Sequence, residues 1–217
     1  MKSLIVLIST YFIATLSFAQ QSDPAAKKVL DAVSAKFKTF KAVQATFTFQ
    51  NEDNKGNVLG TKKGTASLKG PRYRVSFSGA SQEVFCDGTN IWTYDKSANE
   101  VTITKPDNSA NTITPQKIFS NFYDKDFLYK LNGDKMVGRK RVQEIEMTPV
   151  DKTKPFHKVY LLIDKQNKTL YSTRVLDKAG NVMVYTINTM NGSANLPDNL
   201  FVFDKNKYPG VEVIDLR

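Results

Sequence analysis

The sequence predicts a mainly β chain of the α+β class, in which one antiparallel sheet curves onto itself under two or three short helices. Three observations carry this. Apolar residues alternate with a period of two through most of the chain, and Gly, Asn, Asp and Lys clusters part the alternating runs at hairpin intervals. Helical spacing of three and four is confined to a few short stretches. The 217 residues suit one large domain, and 41% hydrophobic with 24% charged residues is ordinary globular usage. No linker, internal repeat or low-complexity segment divides the chain.

Residues 1–19 are set apart as a signal peptide. Lys2 gives a positive start, an uncharged apolar run follows over 4–18, and Ser17 and Ala19 occupy the two positions a signal peptidase reads, so cleavage is expected before Gln20. The run is too short and too interrupted by Ser9 and Thr10 to span a bilayer, which needs about 20 apolar residues. The single cysteine, Cys86, lies far from the cleavage point, so the mature N-terminus carries no lipid. Residues 20–217 are then one domain, soluble outside the cytoplasm.

Within that domain Asp23 before Pro24 is an N-cap followed by proline at the first helical position, and Val29, Leu30, Val33, Phe37 and Phe40 recur at helical spacing, predicting an amphipathic helix over 24–40. The period then changes to two. Val43, Ala45, Phe47 and Phe49 alternate with polar residues, an extended run over 58–69 follows, and Gly70-Pro71 breaks it before Tyr73, Val75 and Phe77 alternate again. Asp87-Gly88 between 82–86 and 91–94 marks a tight hairpin, and a strand returns over 101–105. Thr114-Pro115 repeats the cap-and-proline signal, with Ile118, Phe119 and Phe122 behind it, predicting a short helix over 115–123. Four further strands are expected over 142–147, 159–164, 169–177 and 182–190. A helical turn at Leu196-Pro197 and Leu200 and extended pieces over 201–203 and 211–214 close the chain. The total is about ten strands in hairpin succession. With 14 Phe, 9 Tyr and 1 Trp, the aromatics suffice either to fill a core or to line a cavity.

Composition excludes several chemistries. One Cys permits no internal disulfide or cysteine cluster, and one His leaves no partner for a multi-histidine metal site. No phosphate-cradling glycine loop or serine elbow occurs, so neither metal nor cofactor is expected. His157 reads as a surface or edge residue and Cys86 as a buried, inert thiol. Glu144 and Glu146 share a strand face, which suits a solvated surface better than a catalytic pair. The formal net charge of +10 comes from lysines scattered through turns, and the run Arg139-Lys140-Arg141 reads as a solvated hairpin end rather than a nucleic-acid patch. For an exported chain the positive excess points weakly to membrane surfaces.

The first helix is followed by Ala45-Thr46-Phe47-Thr48-Phe49, then Lys69-Gly70-Pro71-Arg72-Tyr73-Arg74, then the hairpin from Cys86 through Trp92 and Tyr94. Near the end stand Asn195-Leu196-Pro197, Phe201-Val202-Phe203 and Pro209-Gly210-Val211-Glu212-Val213-Ile214-Asp215. In that order and spacing the chain resembles the periplasmic outer-membrane lipoprotein carrier family, LolA, over nearly all of its mature length.

The resemblance implies an incomplete β-barrel, lidded by helices, whose hydrophobic cavity shelters the acyl chains of a lipoprotein. It implies as partners acylated lipoproteins, an inner-membrane lipoprotein-releasing ABC transporter, and an outer-membrane receptor or the outer membrane itself, with the carrier monomeric and periplasmic. The implied cavity residues are Phe47, Phe49, Tyr73, Val75, and Trp92 or Tyr94, with Phe37, Ile118, Phe119 and Phe122 from the lid. Periodicity leaves open which side of 91–94 faces inward. Members of the family place an arginine directly before the proline that starts the third strand, as a latch to the lid; this chain has Gly70 there, and Arg72 or Arg74 is the candidate replacement. A sensing domain on the same half-barrel, or a carrier of another amphiphile such as a glycolipid, is the alternative reading.

Overall fold

The computed structural model describes residues 22–106 and 123–217. The first helix, α1 (Pro24–Lys38), begins where the cap signal places it: the Asp23 carboxylate accepts from the Ala25 amide at 2.8 Å. Its second oxygen accepts from the amide of Leu131 at 2.9 Å, and the Asp23 amide donates to the Tyr129 carbonyl, so one residue both starts the helix and pins it to a distant strand. These amides, Leu131 first, hold the Asp23 carboxyl below its ordinary range. Thr39 ends the helix by donating its hydroxyl to the Lys36 carbonyl.

Twelve strands form one sheet among the described residues. They are β1 (Val43–Glu52), β2 (Val58–Lys69), β3 (Arg72–Phe77), β4 (Gln82–Cys86), β5 (Ile91–Asp95), β6 (Glu100–Thr104), β7 (Phe127–Val137), β8 (Lys140–Pro149), β9 (Phe156–Asp164), β10 (Thr169–Asp177), β11 (Val182–Asn191) and β12 (Glu212–Asp215). A single-turn helix, α2 (Tyr123–Asp126), leads into β7. The order is β12-β6-β5-β4-β3-β2-β1-β11-β10-β9-β8-β7, so two runs of hairpins join where β1 pairs with β11, and β12 and β7 are left as open edges. The expected sheet is present, with three corrections. β7 is an additional strand: its alternation of Phe127, Tyr129 and Leu131 breaks at a register shift between Leu131 and Gly133, which hides the period. β12 runs parallel to β6, so the sheet is not wholly antiparallel. Phe201 ends a 3-10 turn, Asp198–Phe201, rather than opening an extended piece. The helix expected over 115–123 lies outside the described residues except for Tyr123, which opens α2.

Register assigns every strand residue to one of two faces. Val43, Ala45, Phe47 and Phe49 of β1 stand opposite Leu68, Ala66, Gly64 and Lys62 of β2, and Ala66 and Leu68 stand opposite Val75 and Tyr73 of β3. α1 lies on this face and spans both halves of the sheet. Ala26, Leu30 and Val33 pack on Ile145, Met147, Leu161 and Val175, while Phe37 and Phe40 pack on Val43, Leu68, Tyr73 and Cys86. At roughly 1.5–3 kcal/mol for each fully buried large apolar side chain, this stripe fastens α1 more firmly than helix propensity does. The opposite face carries its own cluster at the β4–β6 end, where Phe85, Tyr94 and Val101 are covered by Phe203 and Val211 of the C-terminal segment.

Candidate hydrophobic binding site

On the α1 face, beside the helix, four aromatic rings meet. Phe47 lies edge-on to Phe77 at 5.3 Å and 6.3 Å from Tyr185; Phe49 lies 6.1 Å from Phe77 and 5.0 Å from Tyr185. Phe47 is buried, whereas Phe49, Phe77 and Tyr185 are only partly so. Gly64 makes the cluster possible: a Cβ there would stand 2.8 Å from both Phe47 Cε1 and the Ser76 carbonyl oxygen. Three strands therefore bring the rings together, β1 and β3 across the side-chain-free Gly64 and β11 from the other hairpin run. The rings are tilted or edge-on rather than stacked, and three of them present part of their apolar surface to solvent.

The neighbourhood is apolar and unreactive. Val75, Val84, Ile91, Ile187 and Met190 pack around Tyr73 and Cys86. Burial pushes the Tyr73 hydroxyl up to about 12 and raises the Cys86 thiol as well, so neither ionises near neutrality. Under the end of α1 the face is packed, and the crevice between Val33, Phe37, Phe40, Leu170 and Met190 is closed to water.

A wider groove of about 750 Å³ lies on the opposite face, floored by Tyr160, Leu162, Leu176, Val182 and Val184. Its walls are charged: Glu52 pairs with Arg174 at 3.2 Å and Glu144 with Lys135 at 2.6 Å. An acyl chain laid there would desolvate these ions without pairing them, so size does not make it the apolar site. Glu144 and Glu146 are committed to such pairs. Asn132 donates to both, and Lys158, the main cause, holds the Glu146 carboxyl below its ordinary range.

Of the residues expected at the site, Phe47, Phe49, Tyr73 and Val75 share the α1 face, and Phe37 reaches it from the helix. Trp92 and Tyr94 do not. Ile91 stands opposite Cys86 and Trp92 opposite Phe85, which sets Trp92 and Tyr94 on the other face, where Tyr94 packs 5.4 Å from Phe203 and 4.5 Å from Tyr208. The arginine latch is likewise corrected. Arg72 pairs with Asp198 at 2.7 Å and Arg74 with Glu83 at 2.7 Å, stacked 4.6 Å over Phe85; both alternate away from the α1 face and tie down the far side of the sheet. Ile118, Phe119 and Phe122 lie outside the described residues. Sequence reasoning missed Phe77 and Tyr185 as site members. Phe77 continues the alternation of Tyr73 and Val75, which was the available signal, but nothing in the sequence pairs β11 with β1.

An open sheet with one aromatic, helix-covered face defines a half-barrel built around hydrophobic contact. Residues 38–204 match the family described as "Outer membrane lipoprotein carrier protein LolA", and the chain belongs to that family. Its relatives include the outer-membrane lipoprotein carrier protein of Cupriavidus pinatubonensis, 27% identical over 195 residues, which cover 86% of this chain and 88% of that protein. The corresponding protein of Cupriavidus taiwanensis is 28% identical over 199 residues, covering 88% of this chain and 90% of that one. Among solved structures, an uncharacterized conserved protein from Thermus thermophilus superposes with a TM-score of 0.60 at 14% identity, covering 88% of this chain and 99% of that chain. MucB superposes with a TM-score of 0.50 at 16% identity, covering 88% of this chain and 66% of that chain. These two likenesses are of fold.

Proposed function

We infer that this protein is a periplasmic carrier, without catalytic activity, that shelters lipoprotein acyl chains on the α1 face and ferries them from the inner to the outer membrane. The observation that carries the reading is the partly open four-ring cluster beside a single amphipathic helix, in a chain of the lipoprotein carrier family. Phe49, Phe77 and Tyr185 offer the first apolar contact, and displacement of α1 from Phe37 onward extends it over Tyr73 and Val75. At about 0.8 kcal/mol per buried CH₂, a chain of about 16 carbons loses on the order of 13 kcal/mol on entering water. A carrier must recover most of that yet release it, and tilted, loosely packed rings with a detachable helix suit this better than a rigid pocket.

On this reading the chain is exported by the signal peptide of residues 1–19. It acts as a monomer, takes cargo from an inner-membrane lipoprotein-releasing ABC transporter, and gives it to an outer-membrane receptor or to the outer membrane itself. Native mass spectrometry of the mature protein purified from its own periplasm tests this. Bound acylated peptides are the expected result. An empty protein that also takes up no lipopeptide from membranes would sink the carrier reading.

A further inference from the structure

The two rims of the sheet, where its turns cluster, differ in charge. At the rim holding the β1–β2, β5–β6, β8–β9 and β10–β11 connections, the turn aspartates Asp53, Asp95, Asp151 and Asp177 each stand one or two residues from a lysine, so the turns are close to neutral. The other rim holds the end of α1 and the β7–β8 and β9–β10 turns. There Lys36, Lys38, Lys41, Arg139, Arg141 and Lys168 are all exposed, and none makes an ion pair among the described residues. The acids nearby are already taken: Asp164 by Lys140 at 3.2 Å and Asp134 by Lys165 at 2.6 Å. Farther along the same rim Lys69 and Arg72 share the single carboxylate of Asp198.

These cations form one surface. Lys36 Nζ sits 5.5 Å over the Phe40 ring, Phe40 shares a crevice with Lys168, and the Lys165 amide donates to the Arg141 carbonyl at 3.0 Å, which joins the helix end to both turns. At the outermost hairpin Met136 is 62% exposed, four residues or fewer from Arg139 and Lys140.

We propose that this rim is a docking surface for a bilayer containing anionic phospholipid, on which the carrier stands with its strands upright. Charge complementarity names the partner. The cations rise from the helix end and from two separate turns, without an ion pair among the described residues, which fits a fluid array of phosphate headgroups, and exposed Met136 can enter the headgroup layer. The inference goes beyond the cargo reading and does not need it, since an empty protein carries the same rim.

Vesicle flotation of the ligand-free mature chain tests it, with phosphatidylglycerol mixed into phosphatidylcholine against phosphatidylcholine alone. The wild-type chain should bind the anionic vesicles at least about tenfold more tightly, and lose that binding as salt shortens the Debye length from about 10 Å to about 3 Å. Reversal of four rim charges (Lys36→Glu, Lys38→Glu, Arg139→Glu, Arg141→Glu) should abolish the preference. The milder pair Arg139→Gln and Arg141→Gln, two exposed side chains without an ion pair among the described residues, should weaken it severalfold. Four equal reversals away from the rim, at Lys28, Lys96, Lys152 and Lys178, should largely keep it. Equal loss in both fourfold variants would overturn the proposal in favour of diffuse net charge. Indifference of the wild-type chain to the anionic lipid would overturn it in favour of an acidic protein partner. Lipopeptide uptake, measured separately in detergent, reports on the carrier reading alone.

Discussion

Phe47 and Phe49 sit two residues apart on one strand face yet do different work. Phe47 is buried against Phe77 across Gly64, so Phe47→Ala should cost about 3–5 kcal/mol in denaturant unfolding. Phe49 is partly open, and Phe49→Ala should cost less stability while weakening lipopeptide binding, read by titration with a fluorescent lipopeptide. Gly64→Ala places a methyl group against the immobile Ser76 carbonyl and the Phe47 ring, and should destabilise by about 1–3 kcal/mol through overpacking. Trp92, the only tryptophan, lies on the other face. Its fluorescence should therefore stay unquenched by brominated acyl cargo, and quenching would place the cargo away from the α1 face. Asp198 reports the far-side clamp. Lys69 and then Arg72 hold its carboxyl down at about 2, so what it contributes to stability is present above its unfolded value near 4 and is lost as pH falls toward 2. Carboxyl-detected NMR of wild type and Arg72→Ala should show the Asp198 midpoint rising in the variant.

On the proposed carrier reading, α1 is the element on which loading would turn. It is fixed at its start by Asp23, which caps the helix and accepts from Leu131 of β7, and along its length by Leu30 and Val33. Its last turn rests on aromatic contact through Phe37, 5.7 Å from Phe40 just past the helix end. Opening should thus begin at the C-terminal end. Asp23→Ala removes both side-chain anchors of the start, leaving the backbone bond to Tyr129, and should cost about 1–2 kcal/mol while raising amide exchange along the whole helix rather than its last turn only. Asp23-Pro24 made this start legible in the sequence, because the cap and the proline are local chemistry. β7 was not legible, since its bulge at Leu131 and Gly133 breaks the alternation by which strands are recognised. β12 was recognised as extended, but its parallel partner was not, because nothing within four residues encodes which edge a terminal strand will meet.

At the scale of the whole molecule, the two hairpin runs pair through β1 and β11, and α1 packs on both, so a shift of α1 would bear on both halves of the sheet at once. The period-two pattern, the turn residues and the cap determined by themselves that this chain forms a helix followed by a long meander, since each is a contact between near neighbours. Motif order, through the resemblance it carries, pointed to the family. Only the tertiary structure decided which face of each strand looks toward α1. Alternation fixes that Trp92 and Tyr94 lie together, but their side is set by register with β4 and by Phe203 and Tyr208, more than a hundred residues away. The same holds for Arg72 and Arg74, drawn outward by Asp198 and Glu83, and for Tyr185, brought to Phe49 by the one pairing that joins the halves. A strand pattern is symmetric under exchange of its faces, and only partners remote in sequence break that symmetry.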